Sequence, residues 1–313
     1  MEENIEFTAD APVMEPAAPQ GPSRSEMRRV FSRIGLGLCL GLLASQLAPS
    51  LLTVLFPTFD AQAHAFLVGG LCTGCFTLPV LLLLGRKLPA QQPARNPLRV
   101  GRFLALVCIC YACMIVGNLV GIGVNLLLSP GSVDLVSDLA SASGASLETV
   151  VAFVVLAPVF EELVFRKVLV DRVLPYGEWP AILFSGLTFG LFHGNLTQFF
   201  YAFLLGMILA FIYVRTGNIL HTIGIHACIN FLGGVLPILL PAATFLVMLV
   251  ALAGLILFFL YRKQAHVEQN AVPGVGAAMF GNVGMILFFV ISGFLMVLVA
   301  YIMNHPELTD GLL

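Results

Sequence analysis

The chain has 313 residues, of which 59% are hydrophobic and only 10% are charged, and its mean hydropathy is +0.98. A soluble globular domain does not carry this composition, and the formal net charge of −2 offers no basic surface for nucleic acid. The composition therefore predicts an integral membrane protein whose partner is the lipid bilayer and which binds no nucleic acid.

The N-terminal segment differs from the rest of the chain. Residues 1–27 are rich in Glu, Pro and Ala and lack helical periodicity, which predicts a disordered tail. Their acidic start is unlike the basic start of a secretory signal peptide.

Apolar stretches recur along the remaining chain, and a hydrocarbon core of about 30 Å needs about 20 helical residues to cross it. They predict an all-α polytopic membrane protein with about eight to nine transmembrane helices. A re-entrant hairpin in place of the fourth and fifth stretches is the alternative. The approximate bounds of the nine stretches are 30–57, 64–84, 100–128, 147–166, 179–194, 197–214, 218–236, 239–261 and 277–303.

Basic residues give the predicted orientation, because Lys and Arg accumulate in cytoplasmic loops. With a cytoplasmic N-terminus, every Lys and Arg falls on the inner side of the predicted helices. The predicted outer segments instead hold Asp60, Asp134, Asp138, Glu307 and Asp310. The charge distribution therefore predicts that the N-terminus is cytoplasmic.

Polar and ionisable side chains within the apolar stretches concentrate between Glu161 and Asn230. This asymmetry predicts a functional core at residues 147–236. Scaffold transmembrane helices would precede it at residues 28–146, and C-terminal transmembrane helices would follow it at residues 237–313. No internal repeat is evident in the sequence, which counts against a transporter built from duplicated halves.

The fourth apolar stretch contains Glu161, Glu162 and Arg166. A charge near the bilayer centre costs roughly 2.5 to 3.5 kcal/mol on insertion scales, so such residues need either partners or a function. Glu162 and Arg166 have the i, i+4 spacing of a helical ion pair with the acidic residue first. Glu161 has no local counter-charge of this kind and is the candidate base.

The fifth and seventh stretches carry candidate partners for Glu161. Glu161 and His193 each lie sixteen residues from Gly177, which is part of a turn, so a helical hairpin would place them at similar depth. Close packing of this hairpin is predicted by glycines at every fourth residue, Gly186, Gly190 and Gly194. His226 and Asn230 are four residues apart and share one helical face.

These residue types suit hydrolysis, which needs a base for water and donors for the oxyanion. Glu161 can accept the proton, with His193 sharing or orienting the water. His226 and Asn230 can donate to the oxyanion, and we expect Phe189 to form a wall. The sequence contains no H-E-x-x-H zinc motif, no G-x-S-G serine motif with a partner histidine, and no G-x-G-D aspartyl motif.

The same residues resemble the CPBP family of intramembrane proteases, also called Abi, which is related to the type II CAAX prenyl endopeptidases. The resemblance covers about residues 150–235 and depends on three motifs in the family's order. The motifs are E-E-x-x-x-R at Glu161, Glu162 and Arg166, F-x-x-x-H at Phe189 and His193, and H-x-x-x-N/D at His226 and Asn230. One departure is His221, where the family usually has a small or apolar residue.

The resemblance implies an intramembrane endopeptidase that cleaves a peptide or protein substrate near the cytoplasmic face of a prokaryotic plasma membrane. Its catalytic residues would be Glu161, His193, His226 and Asn230, with Glu162, Arg166 and Phe189 in supporting roles. The prenyl endopeptidase branch acts through glutamate without a tightly bound metal, so we expect no required cofactor. The alternative is a metalloendopeptidase with Zn²⁺ held by Glu161, His193 and His226.

Two alternative functions would assign other roles to the same residues. A non-catalytic membrane scaffold or bacteriocin-immunity factor would use them to shape a pocket for a peptide or membrane partner. A proton-coupled transporter would use Glu161 and His193 as a relay. Oligomeric state is open, because three small-xxx-small pairs could pack within or between chains: Gly37 with Gly41, Gly70 with Gly74, and Gly117 with Gly121.

Overall fold

The computed structural model describes residues 22–60, 64–128 and 146–305. Within these ranges the chain forms helices and no β-strand, which confirms the predicted all-α membrane fold. The predictions for the tail up to residue 21 and for Asp134, Asp138, Glu307 and Asp310 lie outside the described residues. The tail ends earlier than residue 27, because Ser23 and Glu26 form a capping box that starts a helix at Arg24.

The described residues contain ten helices. In chain order they are α1 (Arg24–Leu55), α2 (Ala65–Leu84), α3 (Val100–Leu128), α4 (147–173), α5 (Glu178–Phe192), α6 (Leu196–Thr216), α7 (Ile219–Leu239), α8 (Ala243–Tyr261), α9 (Val275–Phe280) and α10 (Val283–Asn304). Seven helices of the described ranges are long and apolar enough to cross a membrane, namely α1, α2, α3, α6, α7, α8 and α10.

Helices α4 and α5 are the two predicted spans outside these seven. Helix α4 carries both glutamates and Arg166, and the 15 residues of α5 reach about 22 Å at 1.5 Å per residue, less than the hydrocarbon thickness. A short 3₁₀ turn, Leu174–Tyr176, and Gly177 in a positive-φ conformation join the two helices. The predicted helical hairpin is therefore present.

Helix α5 packs against α6 through its glycines. A Cβ atom at Gly186 would lie 2.9 Å from the carbonyl oxygen of Phe203, and one at Gly190 would lie 2.9 Å from that of Phe199. Gly194 is not part of this contact surface, because the helix ends at Phe192 and Gly194 adopts φ +67° in the following turn. The stripe predicted from sequence therefore has two helical members and one turn glycine.

The small-xxx-small pairs serve packing within the chain. Backbone atoms approach closely where a glycine replaces a side chain, and each pair faces a neighbouring helix of the same molecule. Gly37 and Gly41 face α2, Gly70 and Gly74 face α4, and Gly117 and Gly121 face α6.

The segment that follows α8 binds the turn between α4 and α5. The backbone N–H of Glu178 donates to Asn270 Oδ1 at 2.9 Å, and the Glu178 carboxylate accepts from the Glu268 backbone N–H at 3.0 Å and from the Arg215 guanidinium. The N–H of Val272 donates to the Tyr176 carbonyl at 3.0 Å. Residues 266–272 thus hold the hairpin that carries both Glu161 and His193.

Candidate active site

The ion pair predicted on α4 is present and fully buried. Arg166 Nη1 lies 3.0 Å from Glu162 Oε1, and both side chains have zero exposure. Arg166 Nη2 donates to the carbonyl of Gly206 on α6 at 3.3 Å, and the guanidinium lies 4.5 Å from the centre of the Phe189 ring. These three contacts join Arg166 on α4 to α5 and α6.

His226 lies between the two glutamates. Its Nδ1 is 2.9 Å from Glu162 Oε1, and its Nε2 is 3.7 Å from Glu161 Oε2. A carboxylate only accepts hydrogen bonds, so the short contact assigns the Nδ1 proton to the bond with Glu162 and directs Nε2 at Glu161. Glu162 therefore orients a catalytic candidate in addition to pairing with Arg166, a role that the sequence analysis missed.

The two glutamates differ in exposure as well as in partners. The Glu162 side chain is fully buried, whereas 21% of the Glu161 side chain is exposed. Glu161 is thus the carboxylate that a water molecule or a substrate can reach. This difference follows from the 100° rotation between adjacent residues of a helix, which points Glu162 into the bundle and Glu161 toward its surface.

His193 directly follows the last residue of α5 and is oriented by that helix. Its Nδ1 contacts the carbonyl oxygen of Phe189 at 2.8 Å, which leaves Nε2 as the nitrogen facing away from the α5 backbone. The charge of Glu161 acts on this imidazole, so the two arms of the hairpin bring the two side chains into one neighbourhood.

Phe189 packs against both histidines. Its ring centre lies 4.9 Å from that of His193 and 5.8 Å from that of His226, and both contacts are edge-on. The side chain is 2% exposed, so it fills the space between the imidazoles and the Arg166 guanidinium. The predicted wall is observed, and it fixes the separation of the two rings.

Asn230 lies one turn after His226 and reaches α4. Its Nδ2 donates to the carbonyl oxygen of Phe153 at 2.8 Å. Phe153 is part of a π turn, Ala152–Leu156, in which the wider hydrogen-bond pattern frees carbonyl groups for other donors. One N–H of the amide is thereby bound to backbone, and the second N–H of the same nitrogen is the one that could serve an oxyanion.

Thr222 is a further neighbour that the sequence analysis did not name. It is fully buried one turn before His226, beside the Glu162 carboxylate, and its hydroxyl donates to the Ile219 carbonyl at 3.0 Å. The available signal was its i, i+4 spacing from His226. His221, by contrast, lies at the start of α7, where its Nε2 is 3.4 Å from Asn218 Nδ2.

The zinc alternative requires three ligands converging on one point. Across residues 22–60, 64–128 and 146–305, no group of three or more His, Cys, Asp and Glu side chains is arranged to hold a metal ion. In the proposed ligand set, His226 Nδ1 is bound to Glu162, and His193 Nδ1 is bound to a backbone carbonyl. Both rings keep Nε2 available, and a ring whose Nδ1 is held by a carboxylate or a carbonyl can still ligate a metal through Nε2. The absence of a required metal stays a prediction.

The segment that contains this cluster is similar to a known protein family. No curated protein and no solved structure matches the chain. Residues 144–232 match a family model described as Type II CAAX prenyl endopeptidase Rce1-like, and this range includes every residue of the three motifs. The match confirms the resemblance to the CPBP family of CAAX proteases for the segment in which α4, α5 and α7 bring their polar side chains together.

Proposed function

We propose that the chain is a CAAX-prenyl-protease-like intramembrane endopeptidase that hydrolyses a peptide bond with a water molecule activated by Glu161 and His193. The observation that carries the proposal is the convergence of α4, α5 and α7 on one cluster, in the segment that matches a protease family. The partial exposure of Glu161 beside fully buried Glu162 supports the choice of base.

In the proposed first step, Glu161 removes a proton from the water, and the oxygen of that water attacks the carbonyl carbon of the substrate. His193 Nε2 orients this water, because Nδ1 of the same ring is held by Phe189. The carbonyl oxygen becomes an oxyanion, which accepts from His226 Nε2–H and from the second N–H of Asn230.

In the second step, protonated Glu161 returns its proton to the leaving amine, and the peptide bond breaks to give an acid and an amine. Charge balance supports His226 as the cationic donor. With His226 protonated, two carboxylates face one guanidinium and one imidazolium, so the cluster of Glu161, Glu162, Arg166 and His226 is neutral. Neutrality suits a cluster in a low-dielectric site, where an unpaired charge is costly.

The test compares cells that produce the wild-type protein with cells that produce Glu161→Gln. Membrane proteins that are shortened only by the wild type, as measured by mass spectrometry of their termini, would identify substrates. Glu161→Gln keeps the size of the side chain and removes the base, so we expect it to be folded in detergent and inactive. Glu26→Gln, which alters an exposed carboxylate in the first turn of α1 and keeps an acceptor for the capping box, serves as the matched control and should retain cleavage.

Equal processing by wild-type and Glu161→Gln protein would overturn the proposed protease. If the cellular effect of the gene persists in Glu161→Gln while no protein is shortened, the non-catalytic scaffold or immunity function becomes the better explanation.

A further inference from the structure

The connection between α2 and α3 is strongly basic. Residues 85–102, which we call the basic strap, comprise this connection and the first turn of α3, and they contain five Lys and Arg but no Asp or Glu. The five cations are Arg86, Lys87, Arg95, Arg99 and Arg102. All five are exposed, and none of them forms an ion pair within the described part of the chain. Their charge is therefore left for groups outside the protein.

Backbone hydrogen bonds hold the basic strap against the ends of α4 and α6. The N–H of Gln91 donates to the carbonyl of Asp171 at 2.6 Å, and the N–H of Asn96 donates to the carbonyl of Thr216 at 2.9 Å. Helix α6 is one of the seven helices long enough to cross a membrane, and the ends of such a helix lie near the headgroups of the lipids. The basic strap thus crosses the bundle at headgroup level.

The backbone of the basic strap is also stiff. Prolines recur at every fourth residue, Pro89, Pro93 and Pro97, and each ring fixes its own φ angle. The strap fits closely over the end of α6, because a Cβ atom at Gly217 would lie 2.5 Å from the carbonyl oxygen of Ala94. The cations are therefore presented from a backbone that is fixed to the helix ends.

Apolar side chains beside these cations face the hydrocarbon. Leu83 lies in the last turn of α2, three residues before Arg86, and is 69% exposed. Val100 directly follows Arg99, and it and Leu104, both at the start of α3, are 75% and 57% exposed. Cations next to lipid-facing apolar side chains match a phospholipid, in which the phosphate adjoins the acyl chains. A soluble anion would use the cations alone.

Three other cations at these helix ends are bound within the protein. Lys167 pairs with Asp171, and Arg215 pairs with Glu178. Arg172 donates to a carbonyl of the basic strap itself, at 3.4 Å. The fold thus satisfies the cations of α4 and α6 internally and leaves those of the strap at the surface.

We propose that the basic strap binds the headgroups of anionic phospholipids, whose acyl chains lie against Leu83, Val100 and Leu104. The strap selects anionic lipids because the positive choline of phosphatidylcholine opposes its charge, whereas phosphatidylglycerol carries only the phosphate. Each Lys or Arg near an anionic lipid surface raises affinity by roughly fivefold. This binding is separate from the proposed hydrolysis and does not depend on it.

Quenching of tryptophan fluorescence by brominated lipids tests the proposal locally, because bromine quenches only on contact. The chain has one tryptophan, so Trp179→Phe gives a silent background for a reporter at Val100→Trp. The full-length protein is placed in phosphatidylcholine vesicles with rising fractions of brominated phosphatidylglycerol or brominated phosphatidylcholine. Leu127→Trp, an 83% exposed position at the opposite end of α3, is the matched reporter and should be quenched equally by both lipids.

At Val100→Trp we expect phosphatidylglycerol to bind about tenfold more tightly than phosphatidylcholine. Arg99→Gln/Arg102→Gln, which removes the two cations that flank the reporter, should abolish most of this preference. The control variant is Arg262→Gln/Lys263→Gln, which removes two exposed cations that follow α8, and it should keep the preference. Thermal unfolding in detergent verifies that each variant is folded.

Equal quenching by the two lipids at Val100→Trp would overturn the proposal, as would a preference that Arg99→Gln/Arg102→Gln leaves unchanged. An equal loss of preference in the control variant would also overturn it, because the field of the whole surface would then attract the lipid. Inorganic phosphate, added at constant ionic strength, should not relieve quenching by phosphatidylglycerol. Relief by phosphate would show a site for soluble anions and would exclude the lipid.

Discussion

Helices α4 and α8 meet the bilayer with opposite chemistry. Helix α4 carries Glu161, Glu162 and Arg166, and the last two are fully buried among side chains and carbonyls of neighbouring helices. Helix α8, Ala243–Tyr261, has no charged side chain, and most of its large apolar residues are exposed. The comparison shows that residues facing lipid are apolar, because lipid offers no partner for a charge. The charged residues of α4 lie instead where other protein groups contact them.

The largest expected effect comes from breaking the buried pair of α4. Glu162→Gln removes the counter-charge of Arg166 and the acceptor that orients His226, so it should lower the free energy of unfolding by about 3 to 5 kcal/mol and abolish cleavage. Thermal unfolding in detergent and the processing assay measure the two effects separately. A matched control is Asp171→Asn, which breaks the part-exposed pair with Lys167 and should leave cleavage largely intact.

A double variant sharpens this prediction. Glu162→Leu/Arg166→Met replaces both charges by apolar groups, so most of the stability should return while cleavage remains absent, because His226 Nδ1 has lost its acceptor. Recovery of both stability and cleavage would show that Glu162 acts through packing alone and does not orient the imidazole.

The next largest effect is expected at Asn230. Asn230→Ala removes the N–H that would bind the oxyanion, and loss of one such donor lowers kcat by about 10² to 10³-fold. It also removes the bond to the Phe153 carbonyl. Measuring kcat and KM for an identified substrate tests this, since a purely structural role would lower the fraction of folded enzyme and leave kcat per active molecule unchanged.

A packing change outside the cluster should affect stability alone. Gly254 on α8 sits so close to the Cys108 carbonyl of α3 that a Cβ atom would overlap it. Gly254→Ala should therefore separate the two helices and lower the free energy of unfolding by about 1 to 3 kcal/mol, with unchanged cleavage per folded molecule. Gly123→Ala, where a Cβ atom meets open space within α3, is the control and should lower neither quantity.

The smallest expected effect is that of metal removal. We expect dialysis against a chelator to leave both cleavage and thermal unfolding unchanged, because the proposed hydrolysis uses Glu161 and His193 to activate water and requires no metal ion. Inactivation by the chelator, reversed by added Zn²⁺, would contradict the metal-free hydrolysis proposed above.

The sequence predicted the part of this site that depends on local rules. The spacing of Glu162 and Arg166 predicted their ion pair, which the structure contains. The equal distances of Glu161 and His193 from Gly177 predicted two arms of one hairpin, which the structure also contains. Those rules do not reach across helices. The bond from His226 to Glu162 joins residues 64 positions apart, and it depends on the rotation and tilt of α7 against α4.

The roles predicted for the two glutamates also show that spacing along one helix does not predict contacts between helices. Both residues sit on one helix, and the i, i+4 pattern assigned Glu162 to structure because Arg166 is its nearest charge in sequence. The fold brings α7 to the same side, so one carboxylate contacts Arg166 and His226 together. The boundaries at residues 146 and 236 and the cytoplasmic N-terminus stay predictions.

The sequence by itself determined that this chain lies in a membrane, is all helical, and concentrates its polar chemistry between Glu161 and Asn230, because hydropathy and helical spacing are properties of neighbouring residues. Only the tertiary structure decided that His226 contacts two carboxylates and that Asn230 is bound to the Phe153 carbonyl. Those relations depend on how whole helices cross, and the crossing is fixed by where glycines let backbones meet.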